Sequence, residues 1–478
     1  MPSWPKKILS SIAAALLTGL LMSCAGLPNS ESQPTTDPGD GGAIEAWAAG
    51  GSKQDGAIST GWVRTFRDLD LESLVDEAIA HNRNLQVAAA RLVQAHHDRV
   101  SARSRRLPSL GLRGSASRAR DENGPNEDPT RQGSAGLSLD ASWELDLWGR
   151  LRDLDHSAEA DLVGAQADFR NARLSLAART ASAWIDLIAA EQQLQLAEET
   201  RDSFVRNHRI TERNYKAGDQ TTSPLSVQLG RTNIASAERS LVRTRLERDE
   251  AARSLEVLVG RYPTAELKGR LSLPDLPAHI PTGLPSDLLL RRPDLIAAAA
   301  ALEASAGRAR AARKDLLPSL NLSGGPSSSA SGIGSILLDP EYFAWSVAAS
   351  ITQTVYEGGQ PSAAVKSALA ANKIALHSFA DTALSAFREV ESAIATGQSL
   401  AEQERFLETE LTQANLAEDQ AARDYSEGLV DIISLLEAQR RAANARIAMI
   451  SIRAQRLRNR IDLHLALGGD FKTVAPVE

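Results

Sequence analysis

The sequence predicts a mainly α-helical protein with a membrane β-barrel component, built from a duplicated helix, strand, strand, helix, helix unit. Three observations predict it. Tracts rich in Ala, Leu, Arg, Gln and Glu run almost without a breaker from about 151 to 214 and from 361 to 423. At ~1.5 Å per residue such rods reach on the order of 90 Å, too long for a compact domain. Between them, Leu137, Leu139, Ala141, Trp143, Leu145 and Leu147 alternate with Ser138, Asp140, Ser142, Glu144 and Asp146, the period of a strand with one apolar and one wet face. Finally, the order of parts recurs: Leu107-Pro108-Ser109-Leu110 returns as Leu317-Pro318-Ser319-Leu320, and Tyr215-Lys216-Ala217-Gly218 as Tyr425-Ser426-Glu427-Gly428, both at an offset of 210. That is the duplication of a whole half, not a solenoid period.

Composition agrees. Of the 478 residues 42% are apolar, enough to bury a core, but only 4% are aromatic, which favours extended helices over a thick globular interior. The formal net charge of −7 excludes a generally basic, nucleic-acid-binding surface. The most apolar internal run, 295–302, is mostly alanine and far short of the ~18 to 20 residues of a membrane helix. If the chain crosses a membrane, strands do it.

The elements follow in order. Lys6 and Lys7, an apolar run from Ile12 to Leu21, and Leu21-Met22-Ser23-Cys24 form a cleavable leader (1–23) that resembles a bacterial lipoprotein signal. The resemblance implies cleavage before Cys24 and lipidation of its sulfur and new N-terminus, with Ala25 favouring the outer membrane. Cys24 is the only cysteine, so no disulfide framework exists within one chain. Residues 24–60, rich in Gly, Ser, Pro, Asp and Thr, read as a flexible leash. The first unit spans 61–270, with strands at about 107–120 and 133–148. A linker covers 271–284. The second unit spans 285–470, with strands at about 317–327 and 342–356, and 471–478 form a tail. The inter-strand stretches 121–132 and 325–341 carry turn residues and read as exposed tips.

Each long helix should end at a glycine suited to the left-handed position, Gly218 or Gly428. The next helix then starts at Ser223-Pro224 or at Asp431, N-cap chemistry in both cases. In the last helix Leu429, Ile433, Leu436, Ala443, Ile447, Ile450, Ala454, Leu457 and Ile461 form a heptad seam, with Arg440 off pattern. Arg291, Arg292, Pro293 and Asp294 mark a helix start and read as structural.

Three stretches, 288–325 with its Arg-Arg-Pro-Asp start, Trp143 to Asp153, and Tyr425 to Arg440, resemble the signatures of the outer membrane factors, the TolC-like efflux channels, and most closely their lipid-anchored NodT type. The likeness runs from about Trp62 to Asp470. It implies a homotrimer in which each protomer donates four strands to a twelve-stranded barrel in the outer membrane, above a periplasmic α-helical barrel. It further implies a periplasmic adaptor protein and an inner-membrane pump, expected to be of the RND type, as partners, and no cofactor. In such channels acids near the tips of the helical hairpins narrow the entrance. Here Asp431, Glu437, Tyr425 and Asp219 are the candidates, with a cap role for Asp431 and hairpin packing for Tyr425 and Asp219 as competing readings. Trp143, Trp148, Trp345 and Tyr356, at or beside strands, are candidates for a membrane-interface girdle.

No Walker loop, Gly-x-Ser-x-Gly elbow, His-x-x-x-His or cysteine metal pattern occurs, so an enzyme is not expected. Two alternatives stand beside the efflux duct. One is the exit channel of a type I protein-secretion system; the other is a lipid-anchored periplasmic coiled-coil scaffold that never spans a membrane.

Overall fold

The computed structural model describes residues 47–49, 61–121, 130–218, 222–277, 288–330 and 343–470. After a 3-10 turn at Trp62–Phe66 come α1 (Leu69–His81), α2 (Arg83–Ser104), β1 (Ser109–Asp121), β2 (Thr130–Leu145), α3 (Arg150–Lys216) and α4 (Pro224–Leu258). The second half follows with α5 (Leu288–Arg291), α6 (Pro293–Lys314), β3 (Ser319–Ala330), β4 (Phe343–Thr352), α7 (Gln360–Ser426) and α8 (Ile432–Ala466). The leader, Cys24 and the C-terminal tail lie outside the described residues.

The duplication holds to the residue in the helices. α2 and α6 are each 22 residues, α3 and α7 each 67, and α4 and α8 each 35. At ~1.5 Å per residue the longest pair are rods of about 100 Å. α3 folds back on α4 through Gly218 (φ 79) and α7 on α8 through Gly428 (φ 76), the left-handed position that glycine takes without a Cβ clash. α3 is the central member and packs against α1, α2, α4, α6 and α8. Among the described residues no helix is long and apolar enough to cross a membrane.

The core lies at the middle of the rods. Trp62, Phe66, Leu71, Leu74 and Ala78 pack against Leu176, Trp184, Ile185 and Ile188 of α3, Leu255 of α4 and Ile461 of α8. Asp68 is the buried N-cap of α1 and ties this layer together: it accepts from the amides of Asp70 and Leu71 and from the Trp184 indole at 2.9 Å. A second cluster gathers Leu288, Leu295, Val390, Leu463 and Leu467. Arg292 is buried beside it with Asp294 at 2.6 Å, Glu389 at 2.7 Å and the Ala466 carbonyl at 3.1 Å, so the Arg-Arg-Pro-Asp start is structural. His464 is also buried there, stacked on Trp62 at 5.6 Å. Burial, and then the nearby Arg460, push its pKa down to about 4, so the ring is neutral in the fold and its contribution is lost only in acid. Within the stretch expected as a free leash, Trp47 enters the second cluster, and the amides of Ala48 and Ala49 donate to the Glu391 carboxylate at 2.7 and 2.8 Å.

The four strands form one antiparallel meander in the order β1-β2-β3-β4. Strand ends differ from the expected 107–120, 133–148, 317–327 and 342–356, for identifiable reasons. Pro108 and Pro318 have no N–H to give a ladder, and the amides of Leu107 and Leu317 still bond back to the preceding helices at Ser104 and Lys314. β4 stops at Thr352, opposite Ser319 where β3 starts, and β2 stops at Leu145, opposite Leu320, where Asp146 turns its carboxylate to the amides of Leu151 and Arg152. Trp148 and Tyr356 therefore sit past the strands, not in them. Residues 328–330, read as part of an exposed tip, continue β3 instead, while 331–342 lie outside the described residues.

Register sorts the sheet into two faces. Leu110 and Leu112 of β1 lie opposite Ala141 and Leu139 of β2; Leu145 and Trp143 lie opposite Leu320 and Leu322 of β3; those lie opposite Ile351 and Ala349 of β4. The other face carries Ser109, Ser117, Ser134, Ser138, Ser142, Ser323, Ser327, Ser346 and Ser350, partly joined across strands by hydroxyl pairs at 2.7 to 2.8 Å. The ladder skips Leu139 and Asp140 opposite Gly325 and Pro326, where the proline cannot donate and the backbones crowd. A Cβ on Gly325 would overlap the Leu139 carbonyl, whereas one on Gly114 meets nothing within 4 Å. Gly325→Ala is expected to cost roughly 2 kcal/mol by overpacking, read as a lower thermal unfolding midpoint, with Gly114→Ala unchanged.

Candidate functional site

Two regions carry the candidate residues: the sheet and the hairpin tips. At the sheet's helical end, Glu144 and Asp146 are consumed locally. Glu144 accepts from Arg150 at 2.7 and 2.9 Å, and Asp146 caps α3 by accepting from the amides of Leu151 and Arg152 at 3.0 and 2.9 Å. The acids of "WELDLWGR" turn the chain from strand to helix: Glu144 is the last acid of β2 and Asp146 lies just beyond its end. Asp140, opposite Gly111, stays exposed on the serine face together with Arg113.

Two of the aromatics, Trp143 and Trp148, mark the same end. The Trp143 indole donates to the Arg106 carbonyl at 2.9 Å and that of Trp148 to the Pro318 carbonyl at 2.7 Å, tying strand ends to the incoming chain. Trp345 is exposed on the apolar face of β4, and Tyr356 is exposed beyond it. An indole with an apolar body and one satisfied N–H suits a membrane boundary.

At the tips, Asp431 is the N-cap of α8, accepting from the Ser434 amide at 2.9 Å and its hydroxyl at 2.7 Å. These two bonds, the amide first, hold its carboxyl below the ordinary range. Glu437 lies six residues on and accepts from Arg441 at 2.8 Å and Arg440 at 2.7 Å, hydrogen bonds that likewise lower its pKa. It is charge-compensated by its own helix, a feature of i, i+3 and i+4 spacing. Asp219 lies outside the described residues.

Tyr425 does what composition could not reveal. Thr211 spends its one hydroxyl proton on the Asn207 carbonyl at 3.0 Å, so the Tyr425 hydroxyl donates to Thr211, 2.9 Å away. Asn207 then donates to Gln439 at 3.1 Å, and Gln439 to Ser203 at 3.2 Å. A polar clasp thus joins α3 of the first hairpin to α7 and α8 of the second. Tyr215, the duplicate of Tyr425, is exposed, and the position duplicating Thr211 is Ala421.

The expected seam of α8 splits. Ala454, Leu457 and Ile461 are buried, but toward the tip Ile432, Leu435, Gln439 and Ala442 face the protomer, while Leu429, Ile433 and Ile447 are 69%, 53% and 44% exposed. α8 packs on α7 and α3 with one face and leaves a second apolar stripe uncovered. Among the described residues no group of three or more His, Cys, Asp or Glu is placed to hold a metal ion.

The model of the outer membrane efflux protein family matches residues 74–261 and 284–469. The chain belongs to that family. Its two matched segments are the two halves of the duplication. The cation efflux system protein CusC of Escherichia coli K12 is 28% identical over 87% of this chain and 90% of its own length. The toluene efflux pump outer membrane protein TtgC of Pseudomonas putida is 28% identical over 98% of this chain and 96% of its own. Among solved structures, the outer-membrane channel OprN superposes with a TM-score of 0.80 at 30% identity, covering 90% of this chain and 97% of that one. The protein is accordingly an outer-membrane efflux channel.

Removing the Asp431 cap (Asp431→Ala) is expected to cost about 1 kcal/mol locally, read as faster amide exchange in the first turn of α8, with Asp431→Ser restoring protection. Because the folded pKa is depressed, the cap is complete above the ordinary carboxylate range and is lost as pH falls through the folded value.

Proposed function

We propose that the chain works as a homotrimer, lipid-anchored at Cys24, forming the outer-membrane exit of a tripartite efflux system with a periplasmic adaptor and an inner-membrane pump of the RND type. The observation that carries this reading is the sheet. Its four strands have one apolar and one hydroxyl-rich face, with β1 and β4 each paired on one side only. Three such sheets closed in a ring satisfy the backbone of every edge and place twelve strands around a wet bore.

The duct performs no chemistry; the pump supplies the energy and selects the cargo. The names of its relatives, cation efflux for CusC and toluene efflux for TtgC, indicate small toxic solutes or metal ions as the cargo class. Three copies of Asp140 around the bore favour cations, moderated by Arg113 on the same face.

The Tyr425 to Thr211 bond is the latch of the periplasmic entrance, and Asp431 lies at the tip it closes. Glu437 acts by neutralising Arg440 and Arg441, which otherwise present positive charge near the tip. In planar bilayers the purified trimer should show small, cation-preferring conductances. Tyr425→Phe should raise open-channel events several-fold, and Glu437→Gln should weaken the cation preference. Cysteines placed within 121–132 should label on intact cells; unlabelled loops and a non-conducting monomer would instead favour a periplasmic scaffold.

A further inference from the structure

α7 holds the segment Trp47 to Ala49 through three kinds of contact at once. The Trp47 ring is buried and meets the Phe387 ring at 6.4 Å. The amides of Ala48 and Ala49 each take one oxygen of the Glu391 carboxylate, and the Gln398 side chain donates to the Ala49 carbonyl at 2.8 Å. Bonds from backbone amides to a carboxylate are charge-assisted, and a buried tryptophan is a typical energetic anchor of a docked segment.

The duplication shows that this face is particular to one half. α3 and α7, each 67 residues, align end to end at an offset of 210. Phe387, Glu391 and Gln398 then stand where α3 has Ala177, Ala181 and Ile188, all three fully buried in the first cluster. Steps of four and then seven residues place the α7 trio on one stripe of the helix. A ring, a carboxylate and a side-chain amide on that stripe have no counterpart in α3, and their shared occupant is the segment at 47–49.

Chain length allows this site and a lipid anchor to be satisfied together. Trp47 follows Cys24 by 23 residues, which span at most about 80 Å. Glu391 lies 31 residues along α7 from Gln360, the end that follows β4, and that is about 47 Å of helix. Roughly ten residues are left to spare.

We propose that this stripe of α7 is a docking clip for the N-terminal arm, filled by Trp47 to Ala49 in the working channel, and that it tethers the lipid-bearing end of the chain to the second half within a fixed reach. The tether rests on the reading that Cys24 is acylated and the sheet spans the outer membrane.

The test is hydrogen exchange of the Ala48 and Ala49 amides, read by mass spectrometry on full-length protein in outer-membrane vesicles. Glu391→Ala or Trp47→Ala should speed exchange roughly ten- to a hundredfold, with the remainder of α7 unchanged. Glu391→Gln should keep part of the protection, and Glu402→Gln, farther along α7, all of it. Deleting six residues within 33–44 should leave protection intact, because the remaining 17 still reach about 60 Å. Deleting all twelve leaves about 38 Å of reach and should open the clip. Cutting that variant at a protease site substituted at 26–32 should close it again.

Fast exchange in wild type, no effect of Glu391→Ala or Trp47→Ala, full protection in the uncut twelve-residue deletion, or no recovery on cutting each overturns the proposal. Intact mass of the same samples separates its failure from that of the anchor reading. An acylated chain with unprotected amides removes the clip alone, whereas an unacylated chain removes the anchor and with it the tether.

Discussion

Backbone hydrogen bonding at the sheet edges is the constraint on which the rest of this structure depends. β1 and β4 each leave a row of N–H and C=O groups that no strand of the described chain meets, and in hydrocarbon each such group costs several kcal/mol. The sheet is also too thin to hide its own apolar face, since β4 is exposed along its whole length and no helix packs over the strands. A single copy in lipid is therefore unstable in two independent ways, and ring closure with lipid on one side removes both. The serine face then becomes a hydrated wall, tolerant of solutes because its hydroxyls bond one another and water.

The helices obey the same logic in water. Rods of 67 residues cannot be stabilised by a compact core along their length, so the apolar packing concentrates at mid-height, where α1, the Trp62 turn and the Trp47 segment wrap α3 and α7. Toward the tips that packing gives way to ion pairs and amide contacts such as Arg446 with Glu418 at 2.6 Å and Gln439 with Ser203. Polar contacts of this kind contribute about 1 kcal/mol net each, which makes the tips the part of the rods that is easiest to rearrange. The uncovered stripe of Leu429, Ile433 and Ile447 lies in this region, in keeping with burial by neighbouring chains.

Much of this was legible beforehand. The helix lengths, the glycine turns, the Ser223 and Asp431 caps and the strand alternation all rest on local chemistry that the chain carries with it. What escaped depended on partners. Strand ends were misplaced because β4 stops where its neighbour β3 begins, at Ser319, far from Thr352 in sequence, and β2 stops where Asp146 turns to the start of α3. Asp146 looked like a wet-face strand acid, although its place five residues before Leu151 was the available hint of a helix cap. The α8 seam was read as one face because periodicity cannot tell which of two adjacent stripes meets the same chain and which meets another. Tyr425 owes its role to Thr211, which lies in a different helix.

Closure can be measured directly because Cys24 is the sole native cysteine. Single cysteines scanned along β1 are combined with single cysteines scanned along β4 in the full-length protein in membranes, oxidised and run under denaturing conditions. The account predicts a covalent trimer at one consistent register between β1 of one protomer and β4 of the next. Crosslinks that form only within one chain, or none at any register while the protein remains folded, would contradict it.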